Sequence, residues 1–166
     1  DVIAKALADV PGVLHHTEWR DFGHNRSELL RRARGTADYL LLLDADQTLH
    51  EVGPLPELTS DVYRLRHEGS VEYDVGRLVR GDLPFYFKGR THEYLTCDEP
   101  TSHSLLASWR VVHFADGGAR ADKFERDRRL LQLSLDEDPD DERTVFYLAQ
   151  TLDALGETDQ AIALFN

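Results

Sequence analysis

The chain has 166 residues, of which 31 are acidic and 19 are basic, so its formal net charge is −12. A hydrophobic content of 41% permits a globular core, whereas a disordered acidic tail would be poorer in apolar residues. The acidic balance argues against nucleic-acid binding, and the single cysteine, Cys97, excludes an internal disulfide. No apolar run is long enough to span a bilayer and no signal peptide is visible. We therefore expect a cytoplasmic protein without a membrane span.

The amino-terminal third alternates helical and strand-like segments. Apolar residues at helical spacing over 1–9 predict a helix, and Val13 opens a short strand-like stretch. Residues 25–34 predict a second helix that ends at Gly35. The continuous apolar run 39–43 predicts a strand buried on both faces, as in a parallel sheet. This succession indicates an α/β domain.

The middle of the chain is richer in strands and the end is helical. Short alternating or aromatic segments, separated by Gly, Asp and Pro, predict strands with some antiparallel pairing at 62–65, 75–79, 85–87, 94–96 and 105–114. The remaining apolar periodicity predicts helices at 122–138, 141–156 and 157–166. The sequence contains no methionine and begins at Asp1, so we expect a piece of a longer protein.

The helical end has the residue spacing of a tetratricopeptide repeat. When Ala161 is aligned with the small position of the second repeat helix, consensus-like positions fall on Leu148, Ala149, Leu152, Gly156 and Phe165. Pro139 then falls on the proline that ends the preceding repeat, with Ser134 at its small position. The alternative is a generic helical hairpin. One and a half repeats cannot bury a continuous face alone, so we expect them to pack on the α/β domain or on further repeats.

Two carboxylates, Asp44 and Asp46, directly follow the apolar run. In open α/β sheets ligands bind beyond the carboxyl ends of the strands. With one residue between them, the two side chains can share Mg²⁺ or Mn²⁺, and such an ion clamps a diphosphate. The alternative is a solvated turn in which the two aspartates cap the next segment of the chain.

The stretch LLLLDADQTL also resembles the nucleophile motif of haloacid-dehalogenase-type phosphatases. There Asp44 would attack phosphorus and Asp46 would be the general acid. Such enzymes need a downstream lysine and a further acidic pair at another strand end. Neither Lys88 nor Lys123 follows a suitable strand, and Asp82 has no second acid beside it. A phosphatase is therefore the weaker alternative for these two aspartates.

Three ordered segments resemble the GT-A glycosyltransferases of family 2: WRDFGHNRSELLRRARGTADYLLLLDAD, FYFKGRTHEYLT and VVHFADGGARADKFERDRRLL. More narrowly, they are similar to a bacterial subgroup with carboxyl-terminal tetratricopeptide repeats, which includes bacteriocin S-glycosyltransferases. The resemblance covers almost the whole chain. It implies a Rossmann-like GT-A domain over 1–120 that lacks its amino-terminal strands, and a truncated helical repeat segment over 121–166. It also implies a nucleotide-sugar donor, with a UDP-sugar as the first choice.

The resemblance implies roles for individual residues. Asp44 and Asp46 match the Asp-x-Asp motif that holds the metal and the donor diphosphate. His113 matches a late histidine that completes the metal site in such enzymes, and an imidazole can join two carboxylates on Mn²⁺. Glu93 takes the place of the acidic base that deprotonates the acceptor. The alternatives are a partly buried strand histidine for His113 and a salt-bridged loop residue for Glu93.

Further basic and polar residues match positions that face the nucleotide. Asn25 and Arg26 match a pair at the opening of the helix before the metal strand, although Asn25 can equally be the helix N-cap. A basic segment follows His113 after a glycine pair, at Arg120, Lys123 and Arg126. Such a segment can close over a diphosphate and stabilise the leaving-group charge. The alternative is a solvated helix face paired with neighbouring acids at Glu125 and Asp127.

Together these features predict a metal-dependent, inverting glycosyltransferase that moves a sugar from a nucleotide donor to an acceptor hydroxyl, thiol or amide. The repeat helices would bind the acceptor, a protein or peptide partner, or a second copy in a homodimer. The alternative from a different class is a non-catalytic interaction module, in which the repeats are carried by a degenerate α/β domain.

Overall fold

The computed structural model describes residues 2–69, 71–114 and 122–165. The helices are α1 (Val2–Ala6), α2 (Phe22–Ala33), α3 (Lys123–Glu137), α4 (Glu142–Ala154) and α5 (Thr158–Phe165). The strands are β1 (Tyr39–Leu41), β2 (Gln47–Glu51), β3 (Val62–Glu68), β4 (Tyr73–Arg80), β5 (Tyr86–Lys88), β6 (Tyr94–Thr96) and β7 (His103–His113). The described part of the chain is therefore a mixed α/β fold. None of its helices is long and apolar enough to cross a membrane.

The main sheet has five strands in the order β1-β4-β3-β7-β2, and β5 pairs with β6 in a separate two-stranded sheet. β3 and β7 run parallel, whereas the other neighbouring pairs are antiparallel. The order places β1 and β2, which follow each other in the chain, at opposite edges of the sheet. The chain must therefore cross the end of the sheet between these two strands.

Alternation along β3 and β4 separates two apolar clusters on the two faces of the sheet. On one face the buried residues are Tyr63, Leu65, Leu78, Leu106 and Val111. On the other face they are Leu30, Val62, Val79 and Phe85. Because α2 supplies Leu30, this helix covers the second face.

The apolar run at 39–43 contains a strand, but its surroundings differ from the prediction. β1 comprises Tyr39–Leu41, lies at a sheet edge and pairs antiparallel with β4. The expected strand buried on both faces of a parallel sheet is wrong, because β1 is half-buried and has one paired neighbour among the described residues. The strand-like stretch expected from Val13 is also wrong, since residues 13–21 belong to no helix or strand.

The second helix begins at Phe22, earlier than the predicted start at Asn25. Asp21 caps it, and its Oδ1 accepts a hydrogen bond from the N–H of His24 at 2.7 Å. Asn25 therefore lies inside the first helical turn, and the interpretation of Asn25 as the N-cap is wrong. Gly35 follows the helix with a φ of +76°, a left-handed conformation that favours glycine and ends the helix as predicted.

Most of the other predicted elements are confirmed. The first helix covers Val2–Ala6, and a strand or helix occupies each segment predicted from residue 62 onward. β2 (Gln47–Glu51) was not predicted. β2 lies at a sheet edge, pairs with β7 on one side and has no buried residue. Its sequence QTLHE therefore contains few apolar residues, and the apolar periodicity that predicts a strand is missing.

The carboxyl-terminal helices share a core of their own, made of Leu131, Leu148, Ala149, Leu152 and Ala161. Asp141 caps α4, because its carboxylate accepts hydrogen bonds from the N–H of Arg143 at 3.2 Å and the hydroxyl of Thr144 at 2.6 Å. Gly156, with a φ of +82°, follows the helix. The helix boundaries agree with the predicted segments. The repeat family, and the division of the chain after residue 120, stay predictions.

Candidate functional site

β1, β3 and β7 run in the same direction, so their carboxyl ends point toward the same end of the sheet. Residues 42–46 cross this end as the chain passes from one sheet edge to the other. At the start of the crossing the N–H of Leu42 donates to the carbonyl of Arg77 at 2.7 Å. At its end the N–H of Phe114 donates to the carbonyl of Asp46 at 3.1 Å. Asp44 and Asp46 therefore lie in the crossing that joins the carboxyl end of β1 to the start of β2 beside the end of β7.

Both carboxylate oxygens of Asp44 accept hydrogen bonds from side chains. Oδ1 accepts from Arg26 Nη2 at 2.7 Å, and Oδ2 accepts from Arg77 Nη1 at 3.3 Å. The amide of Gln47 adds a donor to Oδ2 at 3.0 Å, and its Oε1 accepts the N–H of Asp44 at 3.1 Å. Three side chains therefore hold the Asp44 carboxylate in one orientation, directed toward the two guanidinium groups.

The second aspartate, Asp46, faces His113. The Oδ2 of Asp46 and the Nε2 of His113 lie 2.9 Å apart. The β2–β7 register sets Gln47 opposite His113 and thereby brings the histidine beside Asp46. The hydrogen bond to His113 holds the pKa of Asp46 below its ordinary value, although burial acts in the opposite direction.

α2 packs directly on β5 and the turn after it. A Cβ atom at Gly23 would lie 2.0 Å from the carbonyl oxygen of Gly89, so this approach of two backbones requires glycine. One helical turn further along, the Ser27 hydroxyl accepts the N–H of Phe87 at 2.9 Å. These contacts place the face of α2 that carries Gly23 and Ser27 against β5 and the turn after it.

Arg26 projects from this face and joins two of the predicted site residues. Its guanidinium stacks on Phe87, with Cζ 4.7 Å from the ring centroid. From this position Nη1 donates to Glu93 Oε1 at 3.1 Å while Nη2 donates to Asp44. The Glu93 side chain is 11% exposed. The candidate base and the first aspartate of the Asp-x-Asp pair are thus held by one arginine.

A histidine at the end of β3 supports the second arginine. His67 is 2% exposed, and its Nε2 accepts a hydrogen bond from Arg77 Nε at 3.2 Å. Burial lowers the pKa of His67 to about 4, with further lowering by Arg77 and His113 and an opposing effect from Asp44. The imidazole is therefore neutral at pH 7 and acts as an acceptor for Arg77.

The other predicted nucleotide-facing residues make different contacts. The Asn25 side chain bonds to the preceding segment, where Oδ1 accepts the N–H of Arg20 at 2.9 Å and Nδ2 donates to the carbonyl of Glu18 at 3.0 Å. In the basic segment, Arg126 stacks 5.0 Å from the Phe22 ring centroid and pairs with Asp127 at 3.3 Å, and Lys123 Nζ lies 5.8 Å from the ring centroid of Phe124. Arg120 lies outside the described residues.

The predicted metal ligands fit a divalent ion in part. The 2.9 Å between Asp46 Oδ2 and His113 Nε2 is about the spacing of neighbouring ligands around an octahedral ion whose bonds are about 2.1 Å long. Asp44 is turned toward the arginines and must rotate to become a third ligand. In the described ranges, no three His, Cys, Asp or Glu side chains are grouped closely enough to hold a metal ion.

Three contributors to this site were not predicted: Gln47, His67 and Arg77. The sequence carries a signal for two of them. His67 continues the period-two alternation of the buried Tyr63 and Leu65 along β3, so its ring lies on the same side of the strand. Arg77 stands among apolar residues of β4, where a charged side chain needs a partner. The sequence alone did not reveal that partner.

No protein-family model matches the chain. No curated protein matches it at a significant level. A functional proposal therefore rests on the contacts within the site. These are the contacts of Arg26 with Asp44 and Glu93 and the contact of Asp46 with His113.

Proposed function

We propose that the chain carries a metal-dependent glycosyltransfer site, which moves a sugar from a nucleotide-sugar donor to an acceptor with inversion. The observation that carries the proposal is the contact of Arg26 with both Asp44 and Glu93. Through Arg26, Asp44, which is the candidate residue for the donor diphosphate, is linked to Glu93, which is the candidate base and lies far away in the sequence. Donor and acceptor must be adjacent for transfer, so these two functions have to meet in this way.

The donor side of the site consists of Asp44, Asp46 and His113. Asp46 and His113 would hold Mn²⁺ or Mg²⁺, with Asp44 as a further ligand. When bound, such an ion would neutralise charge on the diphosphate leaving group. Arg26 and Arg77 add two fixed positive charges at the same end of the sheet, and fixed charges of this kind stabilise a developing anion.

The acceptor side of the site is Glu93. In the transfer the acceptor heteroatom forms a bond to the anomeric carbon, and its proton passes to the Glu93 carboxylate. The bond between the anomeric carbon and the diphosphate oxygen breaks, and its electron pair leaves with the diphosphate. Arg26, supported by the Phe87 ring, fixes the direction of the carboxylate through Oε1.

We also propose that the α/β part is a GT-A domain and that α3–α5 belong to a tetratricopeptide array. The position of Asp44 and Asp46 after the carboxyl end of β1 supports the first statement. The helix boundaries and the left-handed Gly156 between α4 and α5 support the second. On this proposal the helices bind the acceptor, a protein or peptide partner, or a second copy, and the protein acts in the bacterial cytoplasm.

Hydrolysis of nucleotide-sugars tests the proposal, because water can take the place of an unidentified acceptor. A panel of donors is incubated with the chain and Mn²⁺, and release of nucleoside diphosphate is measured. We expect Mn²⁺-dependent release that Asp46→Ala reduces to background and Glu93→Gln reduces at least about hundredfold. Glu99→Gln is the matched control, because Glu99 is an exposed glutamate close to Glu93 in the sequence, and this variant should retain the activity.

Two other outcomes would each point to a different function. No turnover with any donor, unchanged by Asp46→Ala, would favour the non-catalytic interaction module. Mg²⁺-dependent hydrolysis of a phosphomonoester, lost in Asp44→Asn, would favour a phosphatase that uses Asp44 as its nucleophile and Asp46 as its general acid.

A further inference from the structure

The loop that carries Glu93 has a backbone with two residues of positive φ, and contacts with neighbouring segments must hold this conformation. The loop follows β5 and passes through two left-handed residues, Gly89 with a φ of +100° and His92 with a φ of +50°. His92 is the one non-glycine residue with positive φ among the described residues. A left-handed backbone at a non-glycine residue is strained and persists only where the surroundings hold it. Glu93 is the next residue, so its position depends on those surroundings.

Arg143 of α4 contacts both neighbours of Glu93. Its Nη2 donates to the carbonyl oxygen of His92 at 3.0 Å. Its Cζ lies 4.9 Å from the ring centroid of Tyr94 and 4.8 Å from that of Tyr147, so the guanidinium contacts the faces of two rings. One arginine of the carboxyl-terminal helices thus holds the residue before Glu93 by a hydrogen bond and the residue after it by stacking.

Tyr147 holds the same loop from the next turn of α4. Its ring stacks on the His92 imidazole with centroids 4.1 Å apart and an angle of 7° between the planes. Burial in this stack lowers the pKa of His92, although Asp127 and Glu93 act in the opposite direction. The stacked imidazole is the side chain of the strained residue, so this contact directly opposes relaxation of the left-handed backbone.

α3 contacts the residues on the other side of His92. The Thr91 hydroxyl donates to Asp127 Oδ1 at 3.2 Å, and Arg90 forms an ion pair with Glu137. Each of the three residues before Glu93 is therefore joined to a helix of the carboxyl-terminal segment. By contrast, Asp44 is held by α2, β4 and Gln47.

We infer that Arg143 and Tyr147 are positioning residues for Glu93, so the carboxyl-terminal helices form part of the transfer site. The inference rests on the proposed function for the role of Glu93, but the contacts themselves do not depend on it. It assigns the helical segment a role in the reaction besides binding a partner. Loss of these contacts lets the loop relax and moves the carboxylate, while the donor side keeps its own supports.

The kinetic test compares Arg143→Ala with Arg128→Ala in Mn²⁺-dependent nucleotide-sugar hydrolysis. Arg128 is the matched control, because its ion pairs to Glu125 at 2.7 Å and Glu157 at 2.8 Å stay within the helical segment. We expect Arg143→Ala to lower kcat about ten- to hundredfold with little change in KM for the donor, since a small displacement of a reacting group costs rate. Arg128→Ala should retain wild-type kcat. Equal kcat values in the two variants would overturn the inference.

A rescue series separates positioning from general stability. Tyr147→Phe keeps the aromatic ring and should keep kcat, whereas Tyr147→Leu loses the stack and should lower kcat as Arg143→Ala does. Equal kcat in the phenylalanine and leucine variants would count against a role of the stack.

Hydrogen exchange of the peptide spanning residues 88–96 tests the contacts without any activity. We expect at least about fivefold faster exchange in Arg143→Ala than in Arg128→Ala, because local opening follows from lost contacts. If the chain hydrolyses no donor, the proposed function fails, and with it the role of the loop in transfer, whereas the exchange experiment still decides whether Arg143 holds the Glu93 loop. Unchanged exchange in Arg143→Ala would then show that the helices do not hold the loop.

Discussion

The Nε2 of His113 lies 2.9 Å from the Oδ2 of Asp46, because β2 pairs with β7 in a register that sets Gln47 opposite the histidine. Asp44 faces the other direction, toward Arg26 and Arg77. The two carboxylates of the Asp-x-Asp pair thus have different partners. Asp46 is presented beside an imidazole, whereas Asp44 is held by guanidinium groups.

This difference predicts how Mn²⁺ affinity depends on His113. We expect His113→Ala to weaken Mn²⁺ binding about tenfold or more, since it removes one of two donor groups already at ligand spacing. Free Mn²⁺ is measured by electron paramagnetic resonance during titration, with and without a nucleoside diphosphate. His50→Ala is the control, because His50 lies on β2 beside Thr48 and away from Asp46 in the register. Superimposable titrations of the two variants would contradict a role of His113 in metal binding.

The backbone contact at Gly23 predicts a large loss of stability on adding one methyl group. In Gly23→Ala the new Cβ would lie 2.0 Å from the Gly89 carbonyl oxygen, and neither backbone can move without disturbing α2 or the loop. We expect the free energy of unfolding to fall by about 1–3 kcal/mol, as in other overpacked sites. Urea unfolding followed by circular dichroism measures it.

The control for this measurement is Gly12→Ala. No atom lies within 4 Å of a Cβ atom built at Gly12, so the change should stay within about 0.5 kcal/mol of wild type. A similar urea midpoint for both variants would mean that α2 does not approach the loop as closely as the structure shows.

The buried His67 predicts a pH dependence of stability. Its pKa is lowered from 6.5 to about 4 in the folded chain, so between these values the unfolded state binds more protons. Stability is therefore lost as the pH falls from 6.5 toward 4, by at most about 3 kcal/mol from this residue. Urea midpoints measured at pH 7, 5.5 and 4.5 follow the loss.

His67→Gln separates this contribution from that of the carboxyl groups. The glutamine oxygen can still accept the hydrogen bond from Arg77 Nε but does not titrate. We expect the variant to lose less stability than wild type over the same pH range, whatever its midpoint at pH 7. Parallel curves for the two proteins would show that His67 takes up its proton equally in both states.

Local patterns predicted the elements of the fold well. The helices α3, α4 and α5 follow from apolar spacing over long segments, and the alternation along 62–114 marks five strands. β2 escaped prediction because a short edge strand with polar residues carries little periodic signal. The antiparallel pairing of β1 with β4 was also not predicted, because an apolar run indicates a buried strand but not the direction of the neighbouring strand.

The contacts of the candidate site were predictable only in part. Asp44, Asp46, His113, Glu93 and Arg26 were candidates from the sequence, and the structure brings them into two contacting groups. Arg77 and Arg143 were not identified as site residues, because the sequence around each arginine does not indicate which distant residue it contacts. Their roles come from the strand order and from the docking of α4 on the Glu93 loop.

By itself the sequence determined the composition, most of the helices and strands and a pair of aspartates after an apolar strand, because these depend on residues close together in the chain. Only the tertiary structure decided that residues 42–46 cross the end of the sheet and that Asp44 and Asp46 face different partners. The physical reason is that both outcomes depend on strand order and register, which are set by packing between segments distant in sequence.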